Sequence, residues 1–245
     1  MVQLLLPLAV PPKFGFENLV LHEGINAPVE AIRSVYGTPR DPLPSLYLWG
    51  PSGTGKTHIL KAVESLLESS KHGEGATCPY FKAGSDAPSS LAELRDLVTG
   101  NEALPDVWAG VAIDDVHLIA ESDYAHIFNL FNKLNRVGAP LLLSSTQPPE
   151  QTFSHDAHLI SRVMSGLVFG IEPPGDNARI LILDKIARDK NIRVSQDVCR
   201  FLVTRKSRNI RELEKIVTTL DTASLRFKRR ITIPFIKLLE NEGVL

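Results

Sequence analysis

The sequence predicts an α/β protein: a parallel-sheet core built around a phosphate loop, followed by a smaller, all-helical C-terminal domain. Three observations predict it. The apolar run Leu46-Tyr-Leu-Trp49 stops in Gly50-x4-Gly55-Lys56-Thr57 and is followed by a helix-forming stretch. Two further apolar runs, Val111-Ala-Ile113 and Pro140-Leu-Leu-Leu143, alternate with helix-periodic segments, which implies a parallel sheet with its active loops at the strands' C-terminal edge. Beyond Glu172-Pro-Pro-Gly175 every segment reads as helical. A chain of 245 residues has room for one sizeable core and a satellite. The expected divisions are an extended arm over residues 1–13, a nucleotide-binding core over 14–172 and a helical lid over 173–245, with the boundary at Pro173.

In chain order, Pro7, Pro11 and Pro12 discourage helix in the arm and leave its leucines exposed, either as an untidy end or as a docking peptide. Phe14 to Val20 reads as a short anchor, and Asn26 to Tyr36 as a helix stopped by Gly37-Thr-Pro39. Ala76 to Lys82 is a candidate second strand, Gly84 to Ser90 a turn-rich stretch and Leu91 to Val98 a short helix. Tyr124 to Val137 carries Ile127, Leu130, Phe131 and Leu134 at helical spacing, the mark of a core-facing helix. The strand from Pro140 ends in the hydroxyls Ser144, Ser145 and Thr146. Asp156 to Met164 is a helix with Arg162 near its end, and Gly166 to Ile171 a last strand. The lid reads as helices over Ala178 to Asp189, Val198 to Val203 capped by Ser195, Ile210 to Leu225, and Pro234 to Leu239.

The glycine loop carries the first chemistry. Gly50, Pro51, Ser52, Gly53, Thr54 and Gly55 give a backbone that curls tightly, so successive N–H groups and a helix N-terminus face one anion. Lys56 would set its ammonium between the β- and γ-phosphates, Thr57 would ligate Mg²⁺, and His58 continues the motif into the helix. The strand ending Ile113-Asp114-Asp115 is the loop's natural partner. Asp114 belongs beside the same Mg²⁺, as a direct ligand or behind its waters, and Asp115 is a candidate for activating the attacking water. An Asp-rich turn after an ordinary strand is the bland alternative.

Composition bounds the rest. A net charge of −1 supplies no global positive field for wrapping nucleic acid or coating a membrane. Cys78 and Cys199 lie far apart without a partner pattern, as expected of reduced thiols in a cytoplasmic protein. The apolar start is too short to span a bilayer and has no basic n-region.

The phosphate loop ending Gly55-Lys56-Thr57-His58, the Ile113-Asp114-Asp115 strand, Ser-Ser-Thr146-Gln-Pro148-Pro149, Ser161-Arg162-Val163 and Asn209-Ile-Arg211-Glu-Leu-Glu214 occur in the order seen in DnaA-like AAA+ proteins. The chain resembles that family from about Phe14 onward. Its C-terminal Thr232-Ile-Pro-Phe235-Ile-Lys-Leu and its arm Gln3-Leu4-Leu5-Leu6-Pro7-Leu8 are similar to the branch that inactivates DnaA. The resemblance implies an ADP or ATP ligand, cytoplasmic location, and a clamp-binding peptide contributed by Gln3, Leu4, Leu6, Pro7 and Leu8. It also implies an arginine finger at Arg162 acting in trans and a sensor-2 arginine at Arg211. Thr146 falls at the sensor-1 position, where the initiators carry an acidic residue, so the chain's own ATP hydrolysis is expected to be weak. The implied partners are the DNA polymerase sliding clamp and DnaA. Homo-oligomerisation stays open, and neither sequence-specific DNA binding nor a membrane partner is expected. Two rivals remain: a DNA-binding initiator-like ATPase, with Arg226-Phe-Lys-Arg-Arg230 as its only dense basic run, and a nucleotide-gated adaptor of the helicase-loader type.

Overall fold

The computed structural model describes residues 14–38, 42–70, 75–84, 104–105 and 107–243. The arm, the turn-rich stretch after Gly84 and the expected helix Leu91 to Val98 lie outside them. The chain divides into two compact units, one comprising Phe14–Leu19 and Glu23–Pro173, the other containing Val20–His22 and the residues from Pro174 onward.

In the first unit five strands, β1 (Leu46–Trp49), β2 (Tyr80–Lys82), β3 (Val111–Asp114), β4 (Leu141–Ser145) and β5 (Leu167–Gly170), form a wholly parallel sheet in the order β2-β3-β4-β1-β5. Alternate residues of a strand face opposite sides, so Leu141 and Leu143 enter one core while Leu142 enters the other. Tyr47, Ile113 and the β4 pair pack against α3 (Tyr124–Arg136) and α5 (Ala157–Met164). Leu46, Leu48, Ala112 and Leu142 pack against α1 (Glu23–Tyr36) and α2 (Lys56–Ser70) on the other face. Burial on both faces is why these strands read as unbroken apolar runs.

Several boundaries differ from expectation. Helix α1 begins at Glu23 rather than Asn26 and holds Pro28 inside it. Proline has no N–H to give the Gly24 carbonyl, and that carbonyl accepts from Glu172 N–H at 3.3 Å instead, so the early start leaves no orphan. Strand β2 is confined to Tyr80–Lys82, and among the described residues a single bridge, from Thr77 to Trp108, lies upstream of it. β4 ends at Ser145, so Thr146 is the first residue beyond the strand. A one-turn helix α4 (Pro149–Thr152) follows, and Asp156 caps α5 by accepting from Leu159 N–H at 2.8 Å.

The second unit contains α6 (Asp176–Asp189), α7 (Gln196–Arg205), α8 (Ile210–Phe227) and α9 (Ile233–Asn241) around its own apolar core. Ser195, Asn209 and Thr232 cap α7, α8 and α9 with side-chain oxygens. Both cysteines are buried and unpaired, Cys78 in the sheet unit and Cys199 among the lid helices. No helix among the described residues is long and apolar enough to cross a membrane.

Leu142 sits fully buried at the centre of the sheet. Leu142→Ala should cost about 2–5 kcal/mol of stability, through lost burial and the cavity left behind. Urea unfolding followed by circular dichroism measures it.

Candidate functional site

β1 is flanked by β4 and β5, and its C-terminal end opens into the glycine loop. Gly50 leaves the strand with φ +148°, and a Cβ there would lie 2.2 Å from the Ile171 carbonyl oxygen, so only glycine fits. Gly50 N–H donates to Ser145 O at 3.3 Å, while Ile171 N–H donates to Trp49 O at 2.7 Å, tying the loop's root to both neighbouring strands. Gly53 and Gly55 also have positive φ, at +82° and +98°. Thr54 Oγ1 donates to the Pro51 carbonyl at 3.0 Å and is buried, whereas Pro51 and Ser52 are exposed at the loop's tip.

Lys56 is only 5% exposed, and its ammonium donates to the carbonyls of Gly50 at 2.6 Å and Pro51 at 2.8 Å. The charge is thus held inside the curl of the loop. His58 Nε2 lies 3.0 Å from the Gly15 carbonyl, with the Phe14 ring edge-on to the imidazole. The Phe14 anchor therefore packs on the helix that the loop starts.

Asp114, at the end of β3, is completely buried. Its Oδ2 accepts from Thr57 Oγ1 at 2.7 Å and from the Tyr80 hydroxyl at 2.7 Å, and its Oδ1 accepts from Ser144 Oγ. A buried charge is tolerable only with such partners. The sequence pairing of Thr57 with Asp114 is realised; Tyr80 and Ser144 were not assigned to the site. Ser144 was legible only as one of the hydroxyls ending a strand, and Tyr80 as part of an edge strand, because the parallel register that sets Tyr80 beside Ala112 is a tertiary fact. Burial, and then the Asp114 charge, push the Tyr80 phenol above its ordinary range, so it remains a proton donor. Lys61 Nζ lies 4.5 Å from the centroid of the Tyr80 ring and 4.8 Å from that of Phe14, a cation held over two aromatic faces.

Asp115 takes a left-handed conformation, φ 59° and ψ 42°, immediately beyond the strand. Its N–H donates to Ser144 Oγ at 3.0 Å and its carboxylate lies 4.0 Å from Lys82 Nζ. Thr146 is half-buried and its N–H donates to His117 Nδ1 at 3.4 Å. Around it, Ser145 Oγ lies 2.8 Å from Thr152 Oγ1, which also accepts from the Tyr47 hydroxyl at 2.8 Å, so β4's polar end is satisfied from within.

Arg162 lies in the last turn of α5, exposed, with its guanidinium carbon 6.0 Å from the ring centroids of both Phe128 and Phe131. Among the described residues no carboxylate pairs with it; its neighbours are two aromatic faces. Arg211 is exposed in the first turn of α8, its backbone N–H bound by the Asn209 cap at 2.9 Å. Gln3, Leu4, Leu6, Pro7 and Leu8 lie outside the described residues.

A parallel sheet of this order, a glycine loop leaving β1, a buried acid ending β3 and a separate helical unit after β5 define a phosphate-loop protein of the AAA+ class. The family described as the bacterial DnaA ATPase domain matches residues 10–170, and the family described as the Hda lid domain matches residues 176–239. The chain belongs to the DnaA ATPase-domain family, and its C-terminal residues 176–239 are similar to the Hda lid domain. It is 26% identical to the chromosomal replication initiator protein DnaA of Thermoanaerobacter sp. (strain X514) over 231 residues, which are 92% of this chain and 51% of that protein. It thus spans about half the length of the curated relatives it matches. Domain III of the Thermotoga maritima replication initiation protein DnaA shares the fold with a TM-score of 0.77 and 22% identity, covering 96% of this chain and 98% of that one. AMPPCP-bound DnaA from Aquifex aeolicus gives 0.63 at 22% identity over 86% and 65% of the two chains. The Thermotoga maritima RuvB Holliday junction branch migration motor gives 0.67 at 14% identity over 93% and 72%.

Tyr80→Phe keeps the ring beneath Lys61 and removes one donor from the buried Asp114 carboxylate. It should lower stability by about 1.5–3 kcal/mol, the range for a hydrogen bond to a charged group, read as a shift in the urea midpoint at constant slope.

Proposed function

We propose that the chain is a nucleotide-holding AAA+ regulator of replication initiation. It docks on the DNA-loaded sliding clamp through residues 3 to 8, presents Arg162 to ATP held by DnaA, and stimulates hydrolysis there. The observation that carries the nucleotide half is the 2.7 Å contact of Thr57 with Asp114, 57 residues apart in sequence, beside a loop whose glycines have positive φ. The two family matches support the regulatory half.

Backbone N–H groups of the loop and the N-terminus of α2 would cradle the phosphates of ADP or ATP. Lys56 would exchange its two carbonyl acceptors for phosphate oxygens, a short move for an ammonium already inside the loop. Thr57 and Asp114 offer a hydroxyl and a carboxylate, the hard oxygen donors that suit Mg²⁺, so the residues present fit the ion. With both of its oxygens already engaged by hydroxyls, Asp114 suits a place behind the ion's waters, oriented by Tyr80 and Ser144. When bound, Mg²⁺ supplies neutralisation of phosphate charge. Asp115, next along the chain, is the residue available to orient a water, and Thr146 would meet the γ-phosphate with a hydroxyl alone, which supports weak turnover. Arg211 is assigned to reading the nucleotide from the lid.

The trans-acting role rests on Arg162. Its guanidinium is exposed and lies 6.0 Å from the ring centroids of Phe128 and Phe131, with no carboxylate paired to it among the described residues. A guanidinium delivered to a partner's active site stabilises the charge on the transferred phosphoryl group and can be worth on the order of 10³–10⁵ in rate.

Three variants separate the parts. Lys56→Ala should weaken ADP binding in calorimetry by at least about tenfold, since it removes a charge-assisted contact to phosphate; unchanged affinity would overturn the phosphate-loop assignment. Gln3→Ala with Leu6→Ala should abolish retention on immobilised clamp and leave ADP affinity intact, and retained clamp binding would remove the docking peptide. Arg162→Ala should keep both clamp and ADP but lose stimulation of DnaA's ATPase; stimulation at the original level would remove the finger.

A further inference from the structure

The lid unit carries a groove, about 1200 Å³ in volume, that the nucleotide chemistry does not use. Its walls come from the end of α6, the loop joining α6 to α7, and the segment joining α8 to α9. Each contributes cations: Arg188 from the first, Arg193 from the second, and Lys228, Arg229 and Arg230 from the third. Two carboxylates, Asp184 and Asp221, line the same groove, and Asp184 is already paired with Arg188. The other four cations are exposed, and among the described residues no carboxylate pairs with them. Lys228 closes α8 in the left-handed conformation, and Arg229 N–H donates to the Ser224 carbonyl at 3.0 Å. This turn sends the basic run off the helix and along the groove wall. Compensation of a helix dipole needs a cation or two in the last turn, not cations gathered from three segments.

We infer that this groove binds the phosphate backbone of duplex DNA without reading its sequence. The volume exceeds what a small ligand needs, and the groove is open, as a polymer requires. Ser195 and Thr232 cap helices with their oxygens and keep their hydroxyl hydrogens free to donate, and Arg193, Arg229 and Arg230 supply guanidinium forks that match phosphate oxygens. Leu225 is the one large exposed apolar side chain on the lining, so an acidic peptide would find charge but scarcely any anchor. The lining has no aromatic ring on which an unpaired base could stack, which favours duplex over single strands. The inference is independent of nucleotide binding at the phosphate loop.

The test is fluorescence anisotropy of a labelled, arbitrary-sequence duplex with the full chain, between about 50 and 200 mM salt. Binding should weaken with salt at a log–log slope of about −3 to −4, for four unpaired cations. Arg193→Ala with Arg229→Ala and Arg230→Ala should reduce the slope to about −1 and lower the affinity at low salt by at least tenfold, and the three corresponding lysine substitutions should restore most of the loss. Arg193→Glu alone, on a loop outside the helix caps, should give about a tenfold loss and guards against misfolding of the triple variant. Absence of duplex binding at the lowest salt, or binding unaltered in these variants, overturns the proposal. So does tighter binding of single strands, or of polyglutamate of matched charge, which would assign the groove to another kind of polyanion.

Discussion

The sheet unit depends on one buried carboxylate. Asp114 has no exposure to solvent, and an ionised group in that position is tolerable only while every oxygen is bonded. Its three donors come from three different places: Thr57 on α2, Tyr80 on β2 and Ser144 on β4. Meeting its needs therefore fixes the start of the loop helix and the ends of two strands relative to β3. The backbone joins in, since Ala83 N–H donates to the Asp114 carbonyl at 2.9 Å and Asp115 N–H to Ser144 Oγ at 3.0 Å. The same hydrogen bonds that make the charge affordable aim it at the glycine loop.

Around that charge the sheet acts as a positioning device. β1 lies between β4 and β5, so the root of the glycine loop is bonded on both sides, and the close approach of Ile171 admits no side chain at Gly50. Beyond β4 the chain becomes polar abruptly, yet Ser145, Thr152, Tyr47 and Gln147 satisfy one another and keep the strand end rigid. Thr146 follows directly beyond this strand end, its N–H donating to His117 Nδ1. Arg162 is positioned by different physics: two aromatic faces hold a guanidinium that keeps its charge and its exposure.

Much of this is legible in the sequence alone. Gly50-x4-Gly55-Lys56-Thr57 after an apolar run, and the acid after Ile113, announced the loop and its partner strand, because phosphate chemistry demands those residue types at that spacing. Among the described residues, strand and helix positions follow from periodicity, with ends displaced by a few residues where tertiary bonds intervene, as at Pro28. Tyr80 was illegible as a site residue, since nothing local distinguishes a strand tyrosine that faces a carboxylate from one that faces solvent. Phe131 was legible as core; its second role beneath Arg162 was not. The basic run ending at Arg230 is visible in the sequence, and only the folding of the lid brings Arg188 and Arg193 beside it.

The sequence by itself determined the class of fold, the phosphate loop and the order of its motifs, because these rest on local backbone freedom and on hydrophobic period, which are properties of short stretches. The tertiary structure alone decided which hydroxyls hold Asp114, where the Lys56 ammonium rests, what lies beneath Arg162, and that cations from three lid segments share one groove. Those are long-range juxtapositions. They depend on strand register and helix packing, and residues tens of positions apart carry no local mark of the neighbours that folding will bring them.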